Sequence, residues 1–192
     1  MLWYYKFLQD NSSNRLWKVP FSRRVKINFL LRLLLALPQS FIGRICTVLL
    51  SRYSIEISAD CVIGDRIMLP HPYNIIIANG VHLGHDVQIN QGVTIGGNFR
   101  KSKVENGKTI KTPWIGDNVI LAANCVVAGP ITVGSHSVIG AHSVCTHDVP
   151  SMSLVTGQNQ CKKLDLSKLG DSLFAMRCKA YSEKPLTNNI SV

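Results

Sequence analysis

The sequence predicts an all-β fold, a parallel β-helix of hexapeptide repeats carrying a short N-terminal helical segment. Three observations predict it. An aliphatic residue recurs every six positions from Ile57 onward, glycine repeatedly follows that aliphatic, and the stretch ahead of the repeats is apolar at helical spacing instead. Period six belongs neither to a helix nor to simple strand alternation. It fits a unit of one short strand and one sharp turn, three of which close a triangular coil whose aliphatic side chains point inward.

The chain opens with a basic helical segment, residues 1–53. Its nine Lys or Arg face Asp10 alone, so it carries +8 of the formal +10. Between Lys26 and Leu50 apolar residues recur at helical spacing but are interrupted by Arg32, Pro38 and Arg44. No run reaches the roughly 20 residues of a spanning helix. Two helices are expected, one on each side of Pro38. They either pack on the main domain or a neighbouring subunit, or lie on a membrane surface with their basic residues at lipid head groups, giving a peripheral membrane contact through residues 15–53. No nucleic-acid-binding motif accompanies the charge. The first residues, MLWYYKFLQDNSSN, lack the basic, apolar and small-residue order of an export signal, so a cytoplasmic location is expected, with the inner face of the membrane as its refinement.

The repeat domain, residues 54–157, runs through Ile57, Ile63, Leu69 and Ile75, slips by two residues, and resumes at Leu83, Ile89 and Ile95. After a loop it returns at Ile115, Leu121, Val127, Val133, Ile139 and Cys145. Glycine after Ile63, Ile95, Ile115, Val133 and Ile139 serves either a tight corner or a close backbone approach. Residues 98–113, NFRKSKVENGKTIKTP, are the one polar, basic insertion, and a loop on a rigid scaffold is a place for function. Arg100, Lys101, Lys103, Lys108 and Lys111 against Glu105 would attract an anionic acceptor. Beyond, residues 158–192 form a C-terminal tail in which the pattern fades to a mobile end. Six scattered cysteines without a CxxC pair read as reduced and mostly buried.

The segments IEISADCVIG (55–64), LPHPYNIIIANGVHLGHDVQINQGVTIGG (69–97), IGDNVILAANCVVAGPITVG (115–134) and IGAHSVCTHDVPSMSLVTG (139–157) resemble the hexapeptide-repeat acyltransferases. The resemblance is to their serine acetyltransferase-like branch, which includes capsule and exopolysaccharide O-acetyltransferases. It covers roughly Ser54 to Lys163. It implies a left-handed coil, a homotrimer, and transfer of acetyl from acetyl-CoA, as co-substrate, directly to a hydroxyl. No metal is expected.

An alcohol attacks a thioester only if a base takes its proton, and the resemblance gives that role to His71, with Glu56 orienting the imidazole. Backbone N–H groups near Gly96 and Gly97 are the expected donors to the oxyanion. Coenzyme A is expected along a groove between subunits at Ala123 and Ala141, with Lys162 and Lys163 toward its phosphates. Lys111, Thr112 and Asn90 are the candidate acceptor-side residues. Two departures bear on the acceptor: the carboxylate that precedes the histidine in serine-using relatives is Pro70 here, and their Arg-His pair before a proline is Lys111-Thr112. Because those groups hold the charged ends of an amino acid, a sugar hydroxyl of a surface polysaccharide or its precursor is expected, with serine as the alternative. His82, His85, His136, His142 and His147 read as polar surface, His142 being nearest the expected groove. Two further rivals are a γ-carbonic-anhydrase-like zinc enzyme, in which His142 and His147 would be ligands, and a non-catalytic scaffold.

Overall fold

The computed structural model describes residues 22–99, 101–105, 107–168 and 173–183. Among the described residues two helices come first: α1 (Arg23–Ala36) and α2 (Phe41–Ser51). Pro38 lies between them as expected, and Ser40 caps α2 by accepting a 3.0 Å bond from the Gly43 N–H. Sixteen short strands follow among the described residues.

The strands build the three faces of a prism. The first face stacks β1 (Ile55–Ile57), β3 (Ile75–Ile77), β6 (Thr94–Gly96), β11 (Val126–Ala128) and β14 (Val144–Cys145). The second stacks β2 (Val62–Ile63), β4 (His82–Leu83), β9 (Trp114–Ile115) and β12 (Thr132–Val133). The third stacks β5 (Gln88–Ile89), β10 (Ile120–Leu121), β13 (Val138–Ile139) and β15 (Ser153–Thr156), closed by antiparallel β16 (Gln160–Lys163). Coil-to-coil pairing is parallel throughout. Register partners Ile77 and Ile95, or Leu121 and Ile139, are eighteen residues apart, which is three six-residue units.

Every aliphatic of the period-six series is buried, from Ile57 to Cys145. A second inward set lies two residues ahead of it, at Val81, Val87, Val93, Val119, Cys125 and Ile131. Both sets merge into one core with Ile27, Leu31 and Leu34 of α1. The slip lies elsewhere than the spacing alone suggests. Ile77, not Ile75, is the partner of Ile57, so the two extra residues fall between Leu69 and Ile75, in the corner that holds His71. Ile75 is buried under either reading, which is why hydrophobicity could not place the slip.

The alternative for glycine resolves in favour of close approach. A Cβ at Gly64 would strike the Gly84 carbonyl and come within 2.9 Å of the His85 nitrogen; one at Gly84 would lie 2.8 Å from the Gly116 carbonyl carbon; and one at Gly116 would lie 2.8 Å from the Ser135 nitrogen. These glycines let one coil rest on the next. The left-handed conformation of that corner falls two residues later, on Arg66, Asp86, Asn118 and His136, with φ between 52° and 61°.

Both ends are closed. At the first coil the buried Arg32 of α1 donates to the carbonyls of Ile63 (3.2 Å) and Gly64 (2.6 Å). At the last coil β16 folds back on β15. The expectation of a mobile end is corrected over its described part: α3 (Leu173–Ser182) buries Ala175 and Cys178, and Arg177 pairs with Asp86 at 2.8 Å, while Arg66 reaches the same carboxylate at 2.7 Å. Position 184 onward lies outside the described residues, as do residues 1–21.

Two outcomes follow from these contacts. Gly64→Ala should lower stability by roughly 2 kcal/mol or more, because backbone rather than a flexible side chain must move, and denaturant titration would register it. Burial alone would raise the Asp86 pKa, but the Arg66 and Arg177 guanidinium groups hold it below its ordinary value. That contribution is complete above the unfolded carboxylate range, about 4, and is lost as pH falls through the depressed value. Amide exchange in α3 should therefore accelerate at acid pH, and Asp86→Asn should remove most of that pH dependence.

Candidate functional site

The coil has three edges, and most of the expected site residues divide between two of them, on either side of the first face. The edge between the third and first faces is the His71 edge. Its corners are stacked by main-chain bonds from Gly92 N–H to the Tyr73 carbonyl (3.0 Å), Asn124 N–H to the Gln91 carbonyl (2.9 Å) and His142 N–H to the Ala123 carbonyl (3.0 Å). Asn74, Gly92, Asn124 and His142 turn these corners with φ between 51° and 71°, a conformation asparagine and glycine tolerate. The two-residue insertion widens the lowest corner, and His71 stands exposed on it, with its carbonyl accepting from the Tyr73 N–H at 2.9 Å. Asn90 is on the same edge, fastened by its side-chain amide to the Leu121 carbonyl at 3.0 Å. Ala123 and Ala141 follow above it, beside the exposed Asn124 and His142.

Glu56 is the outward residue of β1, paired in register with Ile76 of β3. It lines a cavity of about 290 Å³ with Asn74, Ile76, Ser51, Ser54 and Ile55, beside the corner of His71. Among the described residues no hydrogen bond or ion pair joins Glu56 to His71 within the chain, and both are exposed. The structure thus brings them to one neighbourhood without showing the orienting contact.

Gly96, Gly97, Lys111 and Thr112 lie across the first face, on the edge between the first and second faces. The loop leaves and returns there, and its strands β7 (Lys103–Glu105) and β8 (Lys108–Ile110) form a small antiparallel hairpin. A Cβ on Gly97 would come 3.2 Å from the Lys111 carbonyl, so glycine lets the loop base pack against the coil. Thr112 donates its hydroxyl to the Gly80 carbonyl at 2.8 Å, and a cavity of about 510 Å³ opens among Asn79, Gly80, Thr109, Lys111 and Trp114. Lys103 is engaged by Asp148 at 2.8 Å. Its ion pair reduces what it offers an anionic acceptor. Arg100 lies outside the described residues.

These two groups of residues do not meet within one chain. Nor are Lys162 and Lys163 at the Ala123–Ala141 edge. They are exposed on β16, opposite Leu154 and Ser153, toward the other end of the third face. His142 and His147, considered as a zinc pair, stand on different edges. His136 packs on Tyr181 with ring centres 4.3 Å apart, His82 stacks on Trp114, and the His85 ring nitrogen accepts from the Asp65 N–H at 3.0 Å.

Two residues near His71 escaped the sequence reading. The guanidinium of Arg23, at the start of α1, lies 4.6 Å from the ring centre of Tyr73 and 5.9 Å from that of Tyr53. Tyr73 is flagged only by lying two positions beyond His71. Nothing in the spacing links Arg23 to it, because the helix must fold back over the first coil to bring them together.

Residues 112–147 match the model of the bacterial transferase hexapeptide (six repeats). A serine acetyltransferase of Bacillus subtilis (strain 168) is 37% identical over 132 residues, 69% of this chain and 53% of its own length. One of Staphylococcus xylosus is 42% identical over 103 residues, 54% of this chain and 45% of its own. Among solved structures, the serine acetyltransferase of Neisseria gonorrhoeae superposes with a TM-score of 0.62 at 25% identity, covering 84% of this chain and 62% of that one. This chain thus spans about half the length of the curated relatives it matches. The expected fold class, a left-handed parallel β-helix with short N-terminal helices, is the fold of this chain.

The loop base gives a direct test of its own attachment. Thr112→Ala should speed amide exchange through β8 and at residues 111 and 112 while costing about 1 kcal/mol or less in global stability, since one hydrogen bond is lost at the surface. Unchanged exchange would show that the Gly80 contact does not hold the loop.

Proposed function

We propose that this protein is an acetyl-CoA-dependent O-acetyltransferase of the hexapeptide-repeat type. The observation that carries the proposal is the exposed His71 on the widened corner, on one edge with Asn90, Ala123 and Ala141, in a chain whose relatives are named serine acetyltransferases. His71 takes the proton of the acceptor hydroxyl as its oxygen attacks the thioester carbonyl. Collapse of the tetrahedral intermediate breaks the carbon–sulfur bond, and the proton passes to the leaving thiolate. Glu56 would steady the imidazolium. Coenzyme A fits the edge where Ala123 and Ala141 leave the main chain uncovered, and it supplies the activated acetyl group.

A homotrimer supports this chemistry better than a single chain does. Gly96, Gly97, Lys111 and Thr112 occupy the opposite edge of the first face, so the loop edge of one copy would have to meet the His71 edge of the next. That apposition would place oxyanion donors and loop residues beside the base.

Two acceptors have support of different kinds. The named relatives favour L-serine, and they lend no support to a polysaccharide acceptor. The reading of a surface-glycan hydroxyl rests on Pro70, which stands where a carboxylate would grip an amino acid, and on Lys111-Thr112, which stands in place of an Arg-His pair. Arg23, over Tyr73, is an exposed cation that could meet the carboxylate of serine or of an acidic sugar. Thiol release from acetyl-CoA, followed with L-serine and with a panel of sugar nucleotides and oligosaccharides, decides between them. His71→Ala should lower turnover roughly 10²- to 10⁴-fold without changing the melting temperature, because the side chain is exposed. Transfer to serine would remove the argument from Pro70 and Thr112. Transfer to sugars alone would establish the glycan reading, and no His71-dependent transfer to any acceptor would refute the enzyme itself.

A further inference from the structure

Among the described residues, the helical segment leaves one apolar surface uncovered. In α1, Ile27, Leu31 and Leu34 are enclosed by the prism, whereas α2 turns only Gly43, Cys46 and Leu50 inward. Phe41, Ile42, Ile45, Val48 and Leu49 are exposed, Phe41 by 77% and Val48 by 64%. At 3.6 residues per turn these five side chains share an arc of about 120°. Arg44 borders this stripe and Arg52 stands at its end, both exposed. Single exposed apolar residues are ordinary, but a contiguous stripe marks an interaction surface.

We propose that this face of α2 docks on an anionic phospholipid bilayer, with the helix lying in the plane of the surface. Charge selects the occupant. From residue 22 to residue 53 the chain holds Arg23, Arg24, Lys26, Arg32, Arg44 and Arg52 and neither Asp nor Glu. A second copy of the chain would set the same basic segment against itself around an apolar seam. Residues 1–21, with Lys6, Arg15 and Lys18 against Asp10, are also of like charge. A bilayer offers an apolar interior to the five side chains and anionic head groups to the arginines. Trp3, Tyr4, Tyr5 and Trp17 add the residue types favoured at such interfaces. Among the described residues no helix is long and apolar enough to cross a membrane, so the contact is interfacial. α2 packs beside β1, at the end of the prism opposite β16, and docking there leaves the upper coils free.

Flotation of the full chain with phosphatidylcholine vesicles, and with vesicles containing roughly a third phosphatidylglycerol, tests the proposal. Binding should be about tenfold or more stronger on the anionic vesicles and should fall with added salt. Ile45→Gln with Val48→Gln should weaken it by about tenfold or more, and Arg44→Gln with Arg52→Gln by roughly fivefold per charge. Both variants should keep the wild-type melting temperature, since the side chains are exposed. Equal binding to the two vesicle types, or none, would overturn the proposal. So would light scattering in which Val48→Gln lowers the mass in solution while vesicle binding is unchanged, which would assign the face to a second copy.

Discussion

The spacing of one β-strand above the next, about 4.8 Å, is the constraint from which the rest of this structure follows. Each coil must settle at that distance on the one below, so a methyl group facing the neighbouring backbone is excluded. Gly64, Gly84 and Gly116 stand where it is excluded. The same constraint confines extra residues to corners, where they bulge away without breaking the ladder. Two insertions arise in this way: two residues around His71 and the longer loop at 98–113. One carries the expected base and the other most of the expected acceptor residues.

A stack of coils has two raw ends, and the chain closes them by different means. At the first end the guanidinium of Arg32 satisfies two carbonyls that have no coil beneath them, while the aliphatic side of α1 joins the core. A buried charge is tolerated here because it meets backbone dipoles that would otherwise be unpaired. At the other end β16 reverses direction, covering the last strand of the third face. α3 secures a corner rather than an end, through Arg177 and Asp86.

The division of functional residues between two edges has a geometric cause. A first-face strand of two or three residues separates the corner before it from the corner after it, so the two sets of residues face different sides of the prism. A catalytic groove drawing on both requires a second solenoid alongside, which is the physical case for the proposed trimer. The surface of α2 is a separate matter. Its apolar stripe lies beside the first coil, and its neighbours are all basic or neutral through residue 53.

Much of the fold was legible in the residues themselves because period six repeats one short-range steric solution many times over: inward aliphatic, close-approach glycine, corner. The helix break at Pro38 was legible for the same local reason. Tertiary structure decided whatever depended on coils meeting. It placed the slip at His71 rather than after Ile75, since both positions are apolar and only strand register tells them apart. It assigned the glycines to stacking rather than turning, and it brought Arg23 to Tyr73 across the first coil. It also set His71 and Thr112 on different edges. Spacing along a solenoid reports distance along the coil, whereas a site depends on which edge each residue reaches, and that is settled only when the chain closes into a prism.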